Sequence, residues 1–217
     1  MRINSVQEIE ELIEGHHDQM RQSISLIDFI SKNKKDPLGK SLEKIFNYTE
    51  SNIKYFSFLT SSFIDLLTTL KGFINSVTEW EFIYNSKSGY LTIYETIKTY
   101  HKYQLEIKDF VSNDHPHLFE KYKELNIHLR NYKKKFNYKT EISTIRNKTA
   151  GHFDENFIDY YEQIEKLDKE KAIIAIEEFL DFLKLLMIFT DTMAQETQDK
   201  TSKKLAETKR EYYRKDK

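Results

Sequence analysis

The stretch from Ile145 to Asn156 reads I-R-N-K-T-A-G-H-F-D-E-N and holds the compact set of polar groups that chemistry could use: Arg146, Asn147 and His152. A guanidinium keeps its charge at any physiological pH and an imidazole titrates near neutrality, so the pair can hold an anion and move a proton. Five residues separate them. On a continuous helix, steps of about 100° per residue would leave them roughly 120° apart around the axis, on different faces. Gly151 alters that expectation. A glycine after a helical run sits past the last turn in a left-handed conformation, ends the helix and lets the next side chain be re-aimed. His152 is then expected to fold back toward Arg146. The plain alternative is a surface arginine and a loop histidine that caps carbonyls.

Apolar periodicity predicts the elements that must position this stretch. Val6, Ile9, Ile13, Met20, Ile24, Ile27 and Ile30 recur at helical spacing from about Asn4 to Lys32. A turn follows from Asn33 to Gly39, where Pro37 biases Asp36 away from helix. The second helix is expected from about Leu38 to Gly72, with a break where Asn, Thr and Ser cluster between Asn47 and Asn52. Asn75 to Gly89 reads as a short helix and a loop ending in N-S-K-S-G, and Tyr90 to Val111 as a third long helix. Ser112 to Pro116 stops it, with Asp114 or His115 capping the next. That fourth helix carries the regular stripe Leu118, Tyr122, Leu125, Leu129, Tyr132 and Phe136. Thr140 is expected to cap a short helix bearing Ile142, Ile145 and Arg146. Asp154 to Asp168 reads as a loop and a helical turn. Glu170 to about Gln195 is the most apolar helix, expected at the centre of the molecule or in a subunit interface. The expectation is an all-α, up-and-down bundle of five to seven helices over residues 1–198, then a basic, frayed tail over residues 199–217.

Arg146, Asn147 and His152, in the local form R-N-K-T-A-G-H, resemble the motif of the HEPN superfamily: an arginine, a polar residue directly after it, and a histidine four to six residues beyond the arginine. The resemblance implies an all-helical fold and a metal-independent endoribonuclease of the toxin, phage-defence or RNA-processing kind, working as a homodimer that brings two motifs to one cleft. It implies no cofactor and no metal, and, for a toxin, a small antitoxin protein as partner. It assigns proton transfer to His152 and the phosphate to Arg146, with Asn147 orienting the imidazole or the phosphate. A fold of this type kept for binding alone, without cleavage, fits the same residues.

Cleaving RNA without a metal means deprotonating a 2′-hydroxyl, stabilising a crowded anionic phosphate and protonating the leaving oxygen. The charge distribution suits such a substrate. The chain has a formal net charge of −1, yet seven Lys or Arg stand against one Glu from Arg130 to Lys148, and eight against four acids from Asp199 to Lys217. Arg130, Lys133, Lys134, Lys135, Lys139 and Lys148 are the candidate electrostatic track for an RNA backbone. Tyr132, Phe136 and Tyr138 lie among them and could stack on unpaired bases. Tyr132 and Phe136 also continue the core stripe, which is the stronger assignment for both. The cluster has its own bland explanation, a solvated helix face whose lysines favour the C-terminal end of the macrodipole.

Other chemistries have less support. Glu14 and His17 form one Glu-x-x-His of the kind used by carboxylate-bridged di-metal bundles, but a second copy is missing, and Asp114-His115-Pro116-His117 sits in a proline turn. Fourteen tyrosines and fifteen phenylalanines would also suit a helical dimer that acts as an interaction or scaffold protein without catalysis. There is no cysteine, so disulfides and thiolate chemistry are excluded. No H-E-x-x-H, glycine-rich phosphate loop or G-x-S-x-G occurs. The N-terminal residues lack the apolar core of a signal peptide and no apolar run is long enough to span a bilayer, so a cytoplasmic protein without membrane contact is expected.

Overall fold

The computed structural model describes residues 5–34, 43–150 and 157–215, and every regular element among them is helical. Among the described residues seven α-helices follow one another: α1 Val6–Asn33, α2 Glu43–Asn75, α3 Glu79–Asp114, α4 Phe119–Lys135, the single turn α5 Ile142–Ile145, α6 Phe157–Glu165 and α7 Lys169–Lys215. A 3-10 turn at Pro116–Leu118 joins α3 to α4, and a π-turn at Arg146–Ala150 extends α5. The all-α bundle agrees with the periodicity. No helix among the described residues is long and apolar enough to cross a membrane.

The core forms around α7. Ala172, Ala175, Ile176, Phe179, Leu180, Leu183 and Leu186 are buried along one side of it, and α2, α3 and α4 all pack there. From α2 come Tyr55, Leu59, Phe63, Leu66, Leu67, Leu70 and Phe73. The stripe on α4 is buried from Leu118 to Phe136, and the Tyr132 hydroxyl donates to the Ala175 carbonyl at 3.2 Å. Tyr132 and Phe136 are therefore core residues and not stacking platforms. α1 lies along α2 and buries only Ile9 and Ile30, leaving Ile24, Leu26 and Phe29 exposed.

Helix boundaries depart from the sequence reading in four places. The Asn47–Asn52 cluster does not break α2, whose hydroxyls at Ser57, Thr60, Ser62 and Thr69 instead donate to the carbonyls four residues back. The N-S-K-S-G segment is not a loop. α3 begins at a capping box in which the Thr78 hydroxyl accepts from the Glu81 amide at 3.2 Å and the Glu81 carboxylate accepts from the Thr78 amide at 2.8 Å, and it runs unbroken through Ser86 and Gly89. α7 passes Gln195 and continues to Lys215, so no helix end falls at residue 199; nothing in Asp199–Lys215 is a glycine or proline that would stop it. Within Asp154–Asp168, the part from Phe157 to Glu165 is the helix α6, anchored by buried Tyr160 and Ile164.

At Gly89, α3 packs against α7 with no room for a side chain. A β-carbon built there would stand 2.4 Å from Ile176 Cδ1 and 3.3 Å from Thr69 Cγ2. Gly15 of α1, by contrast, has nothing within 4 Å of a built β-carbon. Two opposite outcomes follow for the same substitution. Gly15→Ala is expected to stabilise by about 1 kcal/mol, the helix propensity difference. Gly89→Ala gains the same propensity but overpacks the core, for a net loss of roughly 1–2 kcal/mol. Urea unfolding measures both, and Ile176→Val, which removes the clashing methyl, should cost less in the Gly89→Ala background than in the wild type.

Candidate functional site

Two segments distant in sequence build the surroundings of Arg146. The first is the middle of α3, which presents Tyr94, Glu95, Lys98 and His101 within two turns. The second is the chain reversal after α4. Asn137 adopts φ 47°, in the left-handed region that asparagine tolerates, so the Tyr138 amide reaches the Lys133 carbonyl at 3.0 Å and the Asn137 amide the Lys134 carbonyl at 3.4 Å. This Schellman closure turns Tyr138 back onto α3, where its ring stacks on Tyr94 with centroids 5.8 Å apart and planes at 12°. Thr140 does not cap α5 as expected. The Asn137 carbonyl is already the local acceptor, taking the amides of Thr140 and Glu141 at 2.9 Å and the Thr140 hydroxyl at 3.3 Å. Buried Ile142 and Ile145 then anchor α5 against α3, and the π-turn begins at Arg146.

The Arg146 guanidinium is held on three sides. Its Nε and one terminal nitrogen donate to Glu95 Oε1 at 3.1 and 2.7 Å, the other terminal nitrogen donates to Asn147 Oδ1 at 3.1 Å, and its carbon lies 5.0 Å from the centroid of the Tyr94 ring. Asn147 thus orients the arginine. Among the described residues these partners take three of its five N–H donors. The Arg146 side chain is 23% exposed, so part of it remains open to solvent. Burial pushes the Glu95 carboxyl up, but the Arg146 hydrogen bond and the charges of Lys98 and Arg146 outweigh it and hold the group below its ordinary range.

A second cation closes the other end of the aromatic pair. Lys133 Nζ sits 5.0 Å from the Tyr138 centroid and donates to His101 Nε2 at 3.2 Å. Because an ammonium only donates, His101 must accept at Nε2 and carry its proton on Nδ1, which faces Gln104 Oε1 at 2.9 Å. Burial, then the nearby Lys139 charge, lowers the Lys133 pKa, while burial pushes the Tyr138 hydroxyl up to about 12. The remaining track residues diverge. Arg130, Lys134 and Lys139 are exposed, Lys148 is half-buried, and Lys135 turns toward α7 to pair with Glu178. Gly151 and His152 lie outside the described residues, so the expected return of the imidazole toward Arg146 does too.

Sequence reasoning missed Glu95, Tyr94 and His101. Their partners Arg146, Tyr138 and Lys133 lie more than thirty residues away, and no local spacing signals them. The metal alternative also changes: among the described residues His115 and His117 gather with Glu196 of α7, not with Glu14 or His17. His115 caps nothing with its side chain, which turns to Glu196 instead.

The held pair generates an acid-sensitive signal. Because the Glu95 pKa is depressed in the folded state, its contribution to stability is complete above the ordinary glutamate pKa and is lost as pH falls through the folded value. In Arg146→Ala the burial effect is opposed by Lys98 alone, so the Glu95 midpoint, followed by carboxyl 13C NMR, should rise, and this part of the acid dependence should shrink. An unchanged midpoint would mean that the ion pair does not form in solution. No family model matches the chain, and neither a curated protein nor a solved structure is detectably similar to it.

Proposed function

We propose that the chain is a HEPN-like, RNA-binding protein of the cytoplasm that cleaves single-stranded RNA without a metal, in a toxin, defence or RNA-processing setting. The observation that supports this most is the immobilised, partly exposed guanidinium of Arg146 at the start of a π-turn whose sequence continues into His152. π-turns inside helical segments recur at functional sites. In the proposed reaction Arg146 takes two phosphate oxygens as negative charge builds on them, and His152 withdraws or returns the 2′-hydroxyl and leaving-group protons. Glu95 and Tyr94 keep the guanidinium aimed before substrate arrives. The exposed Arg130, Lys134 and Lys139 draw in the backbone, and Lys133 positions it beside Tyr138. A homodimer would supply two such motifs to one cleft, and a small antitoxin would restrain the activity.

The test is cleavage of single-stranded RNA in the presence of EDTA. His152→Ala and Arg146→Ala should each lower the rate by about 100-fold or more, with circular dichroism and sedimentation unchanged. Lys133→Ala with Lys139→Ala should weaken RNA binding evenly across sequences and flatten its salt dependence, by about 0.7 in slope per lost contact. Cleavage that survives His152→Ala, or that EDTA abolishes, would sink the reading.

A second reading, an interaction protein without catalysis, draws on the apolar side chains that α1 leaves exposed. Of these, Leu26 and Phe29 line a cleft of about 570 Å³ together with buried Ile30 and with Phe46, Ile53 and Phe56 of α2. Under that reading Phe29→Asp should change the sedimenting species while RNA is neither bound nor cut by the wild type.

A further inference from the structure

The 3-10 turn between α3 and α4 carries a cluster that the ribonuclease reading does not use. α3 ends at Asp114 because His115 leaves helical geometry, with φ −139° and ψ 59°, and Pro116 starts the turn. That corner sets His115 and His117 side by side with ring centroids 6.0 Å apart, both facing Glu196 of α7, about eighty residues further along the chain. His115 Nδ1 stands 2.5 Å from one carboxylate oxygen and His117 Nε2 2.8 Å from the other. The three donor atoms all lie within 4.8 Å of one another. His115 is 1% exposed and its ring rests on Phe110, centroids 4.8 Å apart, whereas the His117 side chain is 61% exposed.

We propose that His115, His117 and Glu196 bind a first-row transition-metal dication, Zn2+ above all, with the fourth position open to solvent. Two imidazoles and one carboxylate are an N2O donor set, which suits Zn2+ and its neighbours and not the all-oxygen preference of Mg2+ or Ca2+. A tetrahedral ion with bonds of about 2.0–2.1 Å needs donors about 3.3 Å apart. The two nitrogen–carboxylate separations, at 2.5 and 2.8 Å, fall short of that by under an ångström, and the exposed His117 is free to swing to complete the set. The buried His115 is the fixed member, held by Phe110 and by the backbone corner. In the absence of metal the same three groups make a hydrogen-bonded clamp between the turn and α7, with a proton on each facing nitrogen. Coordination through those nitrogens requires each imidazole to carry its proton on its other ring nitrogen, and the cation then ties α7 to the α3–α4 corner more tightly.

The discriminating experiment uses the full chain without an affinity tag, stripped with chelator and dialysed against Zn2+ alone with Mg2+ in excess. Elemental analysis should give one Zn2+ per chain, and Co2+ in its place should show the visible absorption of a tetrahedral N/O site. His117→Ala, at an exposed position, and Glu196→Gln should each weaken Zn2+ binding at least about tenfold while circular dichroism shows them folded. A His16→Ala, His17→Ala double variant should bind as the wild type does. Zn2+ should also raise the Tm of the wild type and not that of His117→Ala. Absence of stoichiometric Zn2+, or binding that His117→Ala and Glu196→Gln leave unchanged, would overturn the site and leave only the clamp. These outcomes are independent of whether the chain cleaves RNA.

Discussion

The burial of one side of α7 is the constraint on which the rest of the molecule depends. Each fully buried Leu, Ile or Phe removes enough apolar surface from water to contribute about 1.5–3 kcal/mol, and α7 places Ile176, Phe179, Leu180, Leu183 and Leu186 in such positions. Three helices share that surface, so its shape decides where each can lie. Small residues set the approach: Ala172 and Ala175 on α7 and Gly89 on α3. The polar groups drawn into this core do not oppose it. Ser86, Thr96 and Thr190 donate to carbonyls four residues back on their own helices. Among the described residues Tyr55 Oη is the buried side-chain atom left without a hydrogen bond, a cost of about 1–3 kcal/mol that its contact with Tyr103, ring centroids 4.4 Å apart, offsets in part.

The Arg146 cluster is a consequence of that packing. With α3 held against α7 through Gly89, its next two turns are presented at a fixed height, and Ile142 and Ile145 dock the α5 turn against them. The arginine then meets a carboxylate that burial alone would push toward neutrality. Pairing wins because two donors converge on one oxygen and Lys98 stands 3.5 Å from the other. An unrestrained arginine carries about 2 kcal/mol of rotamer entropy, which a ligand must overcome on binding. Here the fold has already removed much of that freedom, so the guanidinium is held in one orientation whether or not a ligand is present.

What could be seen in the sequence was whatever repeats within a few residues. The stripe from Leu118 to Phe136 and the wide apolar girth after Glu170 are periodic, and both became core. Asn85 to Gly89 has the composition of a turn, yet Gly89 answers to space and not to flexibility, and the reason is Ile176 on another helix. The start of α3 was present in plain form, as Thr78 with Glu81 three residues on, and that box outweighs the serines that follow. Glu95 is different in kind. It is one of many acids on a helix, and only tertiary placement 51 residues from Arg146 gives it a task.

The cations of α4 and of the segment that follows it fall into two sets with different physics. Arg146 and Lys133 are partly withdrawn from water, each against an aromatic face and each hydrogen-bonded to a side chain from α3. Lys133 reinforces its own environment. Its ammonium donates to the His101 ring at 3.2 Å and lies over the Tyr138 ring. Arg130, Lys134 and Lys139 stay exposed, where salt screens them and where their field reaches furthest into solvent. Charge count alone would treat all five alike; burial and hydrogen bonding hold two of them in place and leave three of them solvated.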